Sequence, residues 1–181
     1  MPHVRKILPI AALAALSLAA PVGGAEEPDS SEREQLVEEI LEARKETRYW
    51  QKVMQRKQKI PRVGARLLQT FSTASLERAL ANSRERTKRV RRAAKDPPHE
   101  RQFRCIHRHE GAWDANTGNG YYGGLQMDSS FQRTYGRWLL RTKGRAHRWT
   151  PIEQIWVGER ALREGRGFYP WPVAARRCGL I

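Results

Sequence analysis

Between His109 and Asp128 the chain reads HEGAWDANTGNGYYGGLQMD, with glycines at 111, 118, 120, 123 and 124. Asn119-Gly120 is its strongest constraint on the fold, because a two-residue hairpin turn that suits twisted strands needs both central residues to accept positive φ. The pair predicts a short β-hairpin with strands running into and out of 119–120, in a chain whose other patterns are helical. Gly118, Gly120 and Gly123 also fit GxGxxG, but the context of a dinucleotide site is missing. No βαβ pattern surrounds the glycines, Tyr121 and Tyr122 fill the variable positions, and no acidic residue lies between Asp128 and Glu153.

Just upstream, Phe103, Ile106, His107 and Glu110 recur at i, i+3, i+4 and i+7, which predicts a helix that turns all four to one side and stops at Gly111. Glu110 is the one carboxylate between Glu100 and Asp114. In a last helical turn the negative end of the macrodipole disfavours its charge, and partial burial beside Ile106 and Trp113 raises its pKa further, while Arg108 and His109 oppose this if close. An acid held protonated near neutral pH suits donation to a glycosidic oxygen. The alternative is a surface glutamate paired with an arginine.

Trp113, Tyr121 and Tyr122 offer flat apolar faces with polar edges, and Asn116, Thr117 and Gln126 offer amides and a hydroxyl. Such a surface suits a sugar chain; aromatic packing in a small core is the competing reading. His107 and His109 are two apart and face different sides of a helix, and Trp113 stands where an HExxH pair needs its second histidine. No metal and no cofactor are expected.

The N-terminus has Arg5 and Lys6, an apolar run from Ile7 to Ala20, and small residues up to Ala25. That order predicts a secretory signal peptide over 1–25, too short for a membrane span of roughly 18 to 20 residues. Its removal lowers the formal charge from +15 to 15 − 2 = +13. Outside the cell such a charge favours wall polymers and lipid headgroups, and export demotes nucleic acid as a partner.

Residues 26–98 read as a basic helical region and linker. Residues 31–58 carry Leu36, Ile40, Thr47, Trp50 and Met54 on one stripe, and a second helix follows a Ser or Thr cap before Leu76. A break at Pro61 and Gly64 predicts an amphipathic helical hairpin, closed off by the prolines of KDPPHE. Its 84–95 segment is intensely basic, suited to anionic wall polymers or simply to solvent.

Residues 99–181 form the second module, holding five of six tryptophans, four of five histidines, eleven of fourteen glycines and both cysteines. In an oxidising compartment Cys105 and Cys178 pair, which in the chain-entropy model contributes roughly 4 kcal/mol; two unpaired buried thiols are the alternative.

WDANTGNGYYGGLQM, PIEQIWVGERAL and GFYPWPVAARRCG together closely resemble the catalytic domain of the resuscitation-promoting factor (transglycosylase-like) family, over about residues 99–181. The resemblance implies a lysozyme-like α+β fold, mainly α, with a small hairpin beside a glycan cleft. It implies action on the β-1,4 linkage between N-acetylmuramic acid and N-acetylglucosamine in peptidoglycan. Carried over, the catalytic residue is Glu110; the segment from Asn116 through Gly120 to Gln126 lines the cleft, Gln154 faces it, and Trp171 packs or borders it. The family commonly places cysteine directly before the glutamate and tryptophan five residues after it. Here Glu110 lies five after Cys105 and three before Trp113, as a shortened loop and a relocated cysteine would give.

A single acid/base fits a lytic transglycosylase. A two-carboxylate muramidase would need Asp114 or Asp128 as partner, although Asp128 also fits a helix cap. A wall-binding module without catalysis and a basic nucleic-acid binder are the other classes. No wall-hydrolase protein partner is named by the sequence.

Overall fold

The computed structural model describes residues 30–56 and 63–181. The expected signal peptide with its Ala25 junction, and Pro61 of the expected interhelical break, lie outside the described residues. Among the described residues no helix is long and apolar enough to cross a membrane.

The chain order is α1 (Ser30–Met54), α2 (Ala65–Leu68), α3 (Thr73–Ala94), α4 (Glu100–Glu110), β1 (Tyr121–Tyr122), β2 (Met127–Asp128), α5 (Ser129–Tyr135), α6 (Arg137–Lys143), a 3-10 turn (Ala146–Arg148), α7 (Pro151–Arg163) and α8 (Pro172–Arg177). Helix α3 starts where its sequence signal lies, with the Ser72 side chain accepting from the Ser75 N–H. Helix α1 ends at Met54, earlier than its glycine-free and proline-free pattern suggests. Gln55 takes φ +53 there, and its side-chain amide donates to the Tyr135 carbonyl at 2.9 Å.

The two long helices are not a hairpin. Their contacts ascend together, from Arg33 with Thr73, through Glu39 with Arg84, to Glu46 with Arg91, so α1 and α3 run parallel. Reach permits this: the ten residues from Gln55 to Gly64 can span roughly 33–36 Å, matching the roughly 32 Å from Arg33 to the end of α1. At the outer end Val37, Ile40, Leu68, Leu76 and Leu80 form a small apolar cluster. Midway, Thr47 and Thr87 share a buried hydroxyl hydrogen bond of 2.9 Å that fixes the register.

At the inner end Val53, Met54, Val90 and Ala94 enter the same hydrophobic cluster as Phe103, Ile106, Leu125, Trp156 and Trp171. The core therefore continues across the proline pair that punctuates the sequence. Trp156 donates its indole N–H to the Ala94 carbonyl at 2.8 Å, and Lys143 lies over the Tyr49 ring.

Helix α7 is buried on almost every side, as a central helix must be. Thr150 and Glu153 close a capping box at its start, with Pro151 in the first turn. Its two buried carboxylates are paired: Glu153 accepts from Lys143 at 2.6 Å, and Glu159 accepts from the His99 backbone N–H at 2.6 Å. Cys105 of α4 and Cys178, which caps α8, form a disulfide with a sequence separation of 73.

Candidate functional site

Helix α4 delivers the site. Phe103 and Ile106 are fully buried against the core, and the same face carries His107 and Glu110, as the periodicity predicts. Glu110 is the last residue of the helix and lines a cleft of about 340 Å³, bounded by His109, Tyr121 and Gln126 on one side and by Pro170–Ala174 on the other. Among the described residues it is the one carboxylate lining that cleft. Burial pushes its carboxyl above the ordinary glutamate value, and the neighbouring His109 charge pulls it partly back.

The β-hairpin lies one step further along the chain than Asn119-Gly120 suggests. The pairs are Tyr121 with Asp128 and Tyr122 with Met127, so Gly123–Gln126 make the connection. Asn119 instead precedes β1 and accepts the Tyr121 N–H with its side-chain oxygen at 3.0 Å. Close approach explains why the turn falls where it does. A Cβ on Gly124 would stand 2.6 Å from both His107 Nδ1 and the Trp113 ring, and one on Gly123 would stand 2.5 Å from the Gln154 side chain. Only glycine lets the turn settle onto those three side chains.

Alternation along the strand then separates the two tyrosines. Tyr121 is 48% exposed and borders the cleft. Tyr122 is buried, under Arg145 and beside His147, so it is not a cleft residue. Trp113 is half-buried and stacked on His107 with ring centroids 4.0 Å apart; it buttresses the turn and does not line the cleft. Burial also pushes the His107 pKa down, which favours a neutral ring in that stack.

Gln154 does not face the cleft. It is 0% exposed, and its amide donates to the carbonyls of Trp113, Ala146 and Trp149 at 2.7–3.0 Å, holding three segments together. Asn116, Thr117 and Gly120 are exposed on the loop before β1, outside the residues that line the cleft.

Gln126 does line it, with φ +43 and its amide folded back onto the Gly123 carbonyl at 2.9 Å. A left-handed non-glycine residue at a cleft wall stores backbone strain of the kind found at working sites. Trp171 borders the cleft but is only 3% exposed. Its indole N–H is fixed on the Leu125 carbonyl at 2.6 Å, and its ring sits edge-on to Phe103 and Phe131.

Asp114 and Asp128 are exposed and lie outside the cleft lining. Asp128 is committed to capping α5, accepting from the Phe131 N–H at 2.6 Å. His109 and the Pro170, Val173 and Ala174 rim are cleft residues that the sequence patterns did not single out. The apolar PWPVA run was their only trace. Among the described residues one histidine–cysteine group has metal-ligand spacing, Cys105, His109 and Cys178, and both its sulfurs are held in the disulfide. A larger groove of about 450 Å³ lies elsewhere, on α1 and α3, and Glu46, which lines it, has its pKa lowered by Arg91.

This arrangement, one acid with a raised pKa at a helix end beside a small hairpin in a mainly helical domain, is that of a lysozyme-like domain. Residues 104–174 match the transglycosylase-like domain family. The chain is 40% identical over 88 residues to resuscitation-promoting factor Rpf1 of Corynebacterium glutamicum, covering 49% of this chain and 43% of that protein. It is 39% identical over 71 residues to resuscitation-promoting factor Rpf of Micrococcus luteus, covering 39% of this chain and 29% of that protein. It is 43% identical over 67 residues to resuscitation-promoting factor RpfE of Mycobacterium tuberculosis, covering 37% and 36%. Residues 104–174 are thus similar to the transglycosylase-like domain of the resuscitation-promoting factors. The chain spans less than half the length of each of these relatives.

Proposed function

We propose that the chain cleaves peptidoglycan at the β-1,4 linkage between N-acetylmuramic acid and N-acetylglucosamine, as a lytic transglycosylase with Glu110 as its single acid and base. The reading is carried by the position of Glu110, alone among the described carboxylates in the cleft and with its pKa raised by burial. Protonated, it donates to the bridging oxygen as the bond to the muramic acid C1 breaks. The resulting carboxylate accepts the proton of that sugar's own 6-hydroxyl as its oxygen bonds to C1, leaving a 1,6-anhydro end and restoring the acid. Water is not consumed, and no second carboxylate is needed.

Tyr121 and the Pro170–Val173 rim supply apolar faces for the sugars, and Gln126 supplies an amide. The two-carboxylate muramidase is disfavoured by the cap that occupies Asp128 and by the absence of Asp114 from the cleft lining. The protein acts outside the cytoplasm after loss of residues 1–25, with the basic 84–95 segment attaching it to anionic wall polymers.

The test is the chemistry of the new ends. Purified peptidoglycan incubated with the chain from Glu26 onward is expected to release fragments that mass spectrometry shows to end in 1,6-anhydromuramic acid. Reducing ends would assign a muramidase instead, and no release would assign a binding module.

A further inference from the structure

The basic character of the first two long helices is not uniform. On one side Arg84 meets Glu39 at 2.6 Å and Arg91 meets Glu46 at 2.5 Å, so two of the cations there have carboxylate partners. On the other side, Arg44 and Arg48 of α1 and Arg86 of α3 have no hydrogen-bond acceptor or ion-pair partner among the described residues. One guanidinium nitrogen of Arg44, Nη1, is buried without any partner. An arginine nitrogen removed from water with nothing to donate to costs free energy unless a ligand completes it.

We propose that Arg44, Arg48 and Arg86 form a binding site for a phosphodiester group. The register that assembles them is fixed next to the site, by the Thr47–Thr87 hydroxyl pair and by Thr87 donating to the Ala43 carbonyl at 2.8 Å. Three forked donors brought together on two packed helices match the oxygens of a phosphate better than ammonium groups do. Burial first, then the charges of Arg48 and Arg86, lower the Arg44 pKa, so an anion placed there relieves both.

Arg86 also opens onto a cavity of about 410 Å³ that carries Arg56 and Arg89 above an apolar floor of Met54, Val90 and Ala93, with no carboxylate among the described residues of its lining. A second phosphate of the same chain fits there, which favours a polymer over an isolated ion. The site rests on the proposed wall attachment only for the source of the phosphate; cleavage at Glu110 is independent of it.

The test is calorimetric titration of the intact chain with a short poly(glycerol phosphate) and, separately, with phosphatidylglycerol vesicles. Arg44→Gln/Arg86→Gln is expected to weaken binding about tenfold or more, and Lys88→Gln/Lys95→Gln, with the same charge loss on the other side, less than about threefold. Arg44→Lys keeps the charge, loses the fork and is expected to fall between wild type and the double glutamine variant; it serves if the double variant fails to fold.

Loss with the polymer alone assigns a wall polymer, and loss with the vesicles assigns a lipid headgroup; both support the site. Equal losses in the two double variants, or a loss confined to the lysine variant, overturn the site while leaving attachment by diffuse charge. Binding to neither probe overturns both. Glu110→Gln, which is expected to lose sugar release, should keep wild-type binding to the probe, so failure of the site is distinguished from failure of the cleavage reading.

Discussion

The indole N–H of Trp171 donates to the main-chain oxygen of Leu125 at 2.6 Å, tying the start of α8 to the hairpin turn and setting two walls of the Glu110 cleft. Trp171→Phe keeps most of the ring contacts with Phe103 and Phe131 but leaves that buried oxygen without its donor. Denaturant unfolding is expected to show a loss of about 1–3 kcal/mol. A change near zero would mean that the walls are held some other way.

Gly124 and Gly118 make a matched pair of alanine substitutions. At Gly124 the new Cβ meets His107 and Trp113, whereas at Gly118, with φ +81, it meets open space. Gly124→Ala is expected to cost about 1–3 kcal/mol by overpacking, and Gly118→Ala about 1–2 kcal/mol from backbone strain alone. Peptidoglycan cleavage should fall more for Gly124→Ala, because the displaced turn carries Tyr121 and Gln126. Equal effects on cleavage would remove the turn's packing from the account.

Much of the site was legible in the sequence because it rests on local rules. The 3–4 spacing of Phe103, Ile106, His107 and Glu110 specifies a helix face, Gly111 marks its end, and Asp128 reads as a cap. What failed was decided by packing between distant segments. Asn119-Gly120 is the better turn in isolation, but Gly123 and Gly124 fit the surface formed by Gln154, His107 and Trp113. That shift in register decides which tyrosine meets solvent. The resemblance implies a cleft amide at Gln154, and nothing near it in sequence shows that three carbonyls await it instead. The parallel run of α1 and α3 was hidden for a similar reason: a proline–glycine break does not say which way the chain returns.

The disulfide closes most of the second module into one loop. Cys105→Ser/Cys178→Ser is expected to lower unfolding stability by roughly 4 kcal/mol, read from denaturation midpoints with and without reductant. Reductant should leave the variant unchanged and bring the wild type to its level.

Glu110 also makes stability depend on pH. Its folded pKa lies above the unfolded value, so the folded state holds the proton more tightly. That contribution is fully present below the unfolded pKa and is lost as pH rises through the folded one. Glu110→Gln, which never ionises, should therefore gain stability over the wild type as pH is raised from about 4 to about 7. A difference independent of pH would show that the carboxyl is not desolvated. His109→Gln removes the charge that pulls Glu110 down, so the alkaline fall in cleavage should move to higher pH.

The most direct measurement is the rate of sugar release from purified peptidoglycan by the wild type and by Glu110→Gln, both confirmed as folded by thermal melting. If Glu110 is the acid, the variant should lose about 10²- to 10⁴-fold in rate, with binding to the insoluble wall unchanged. Release by the variant at the wild-type rate would contradict the assignment.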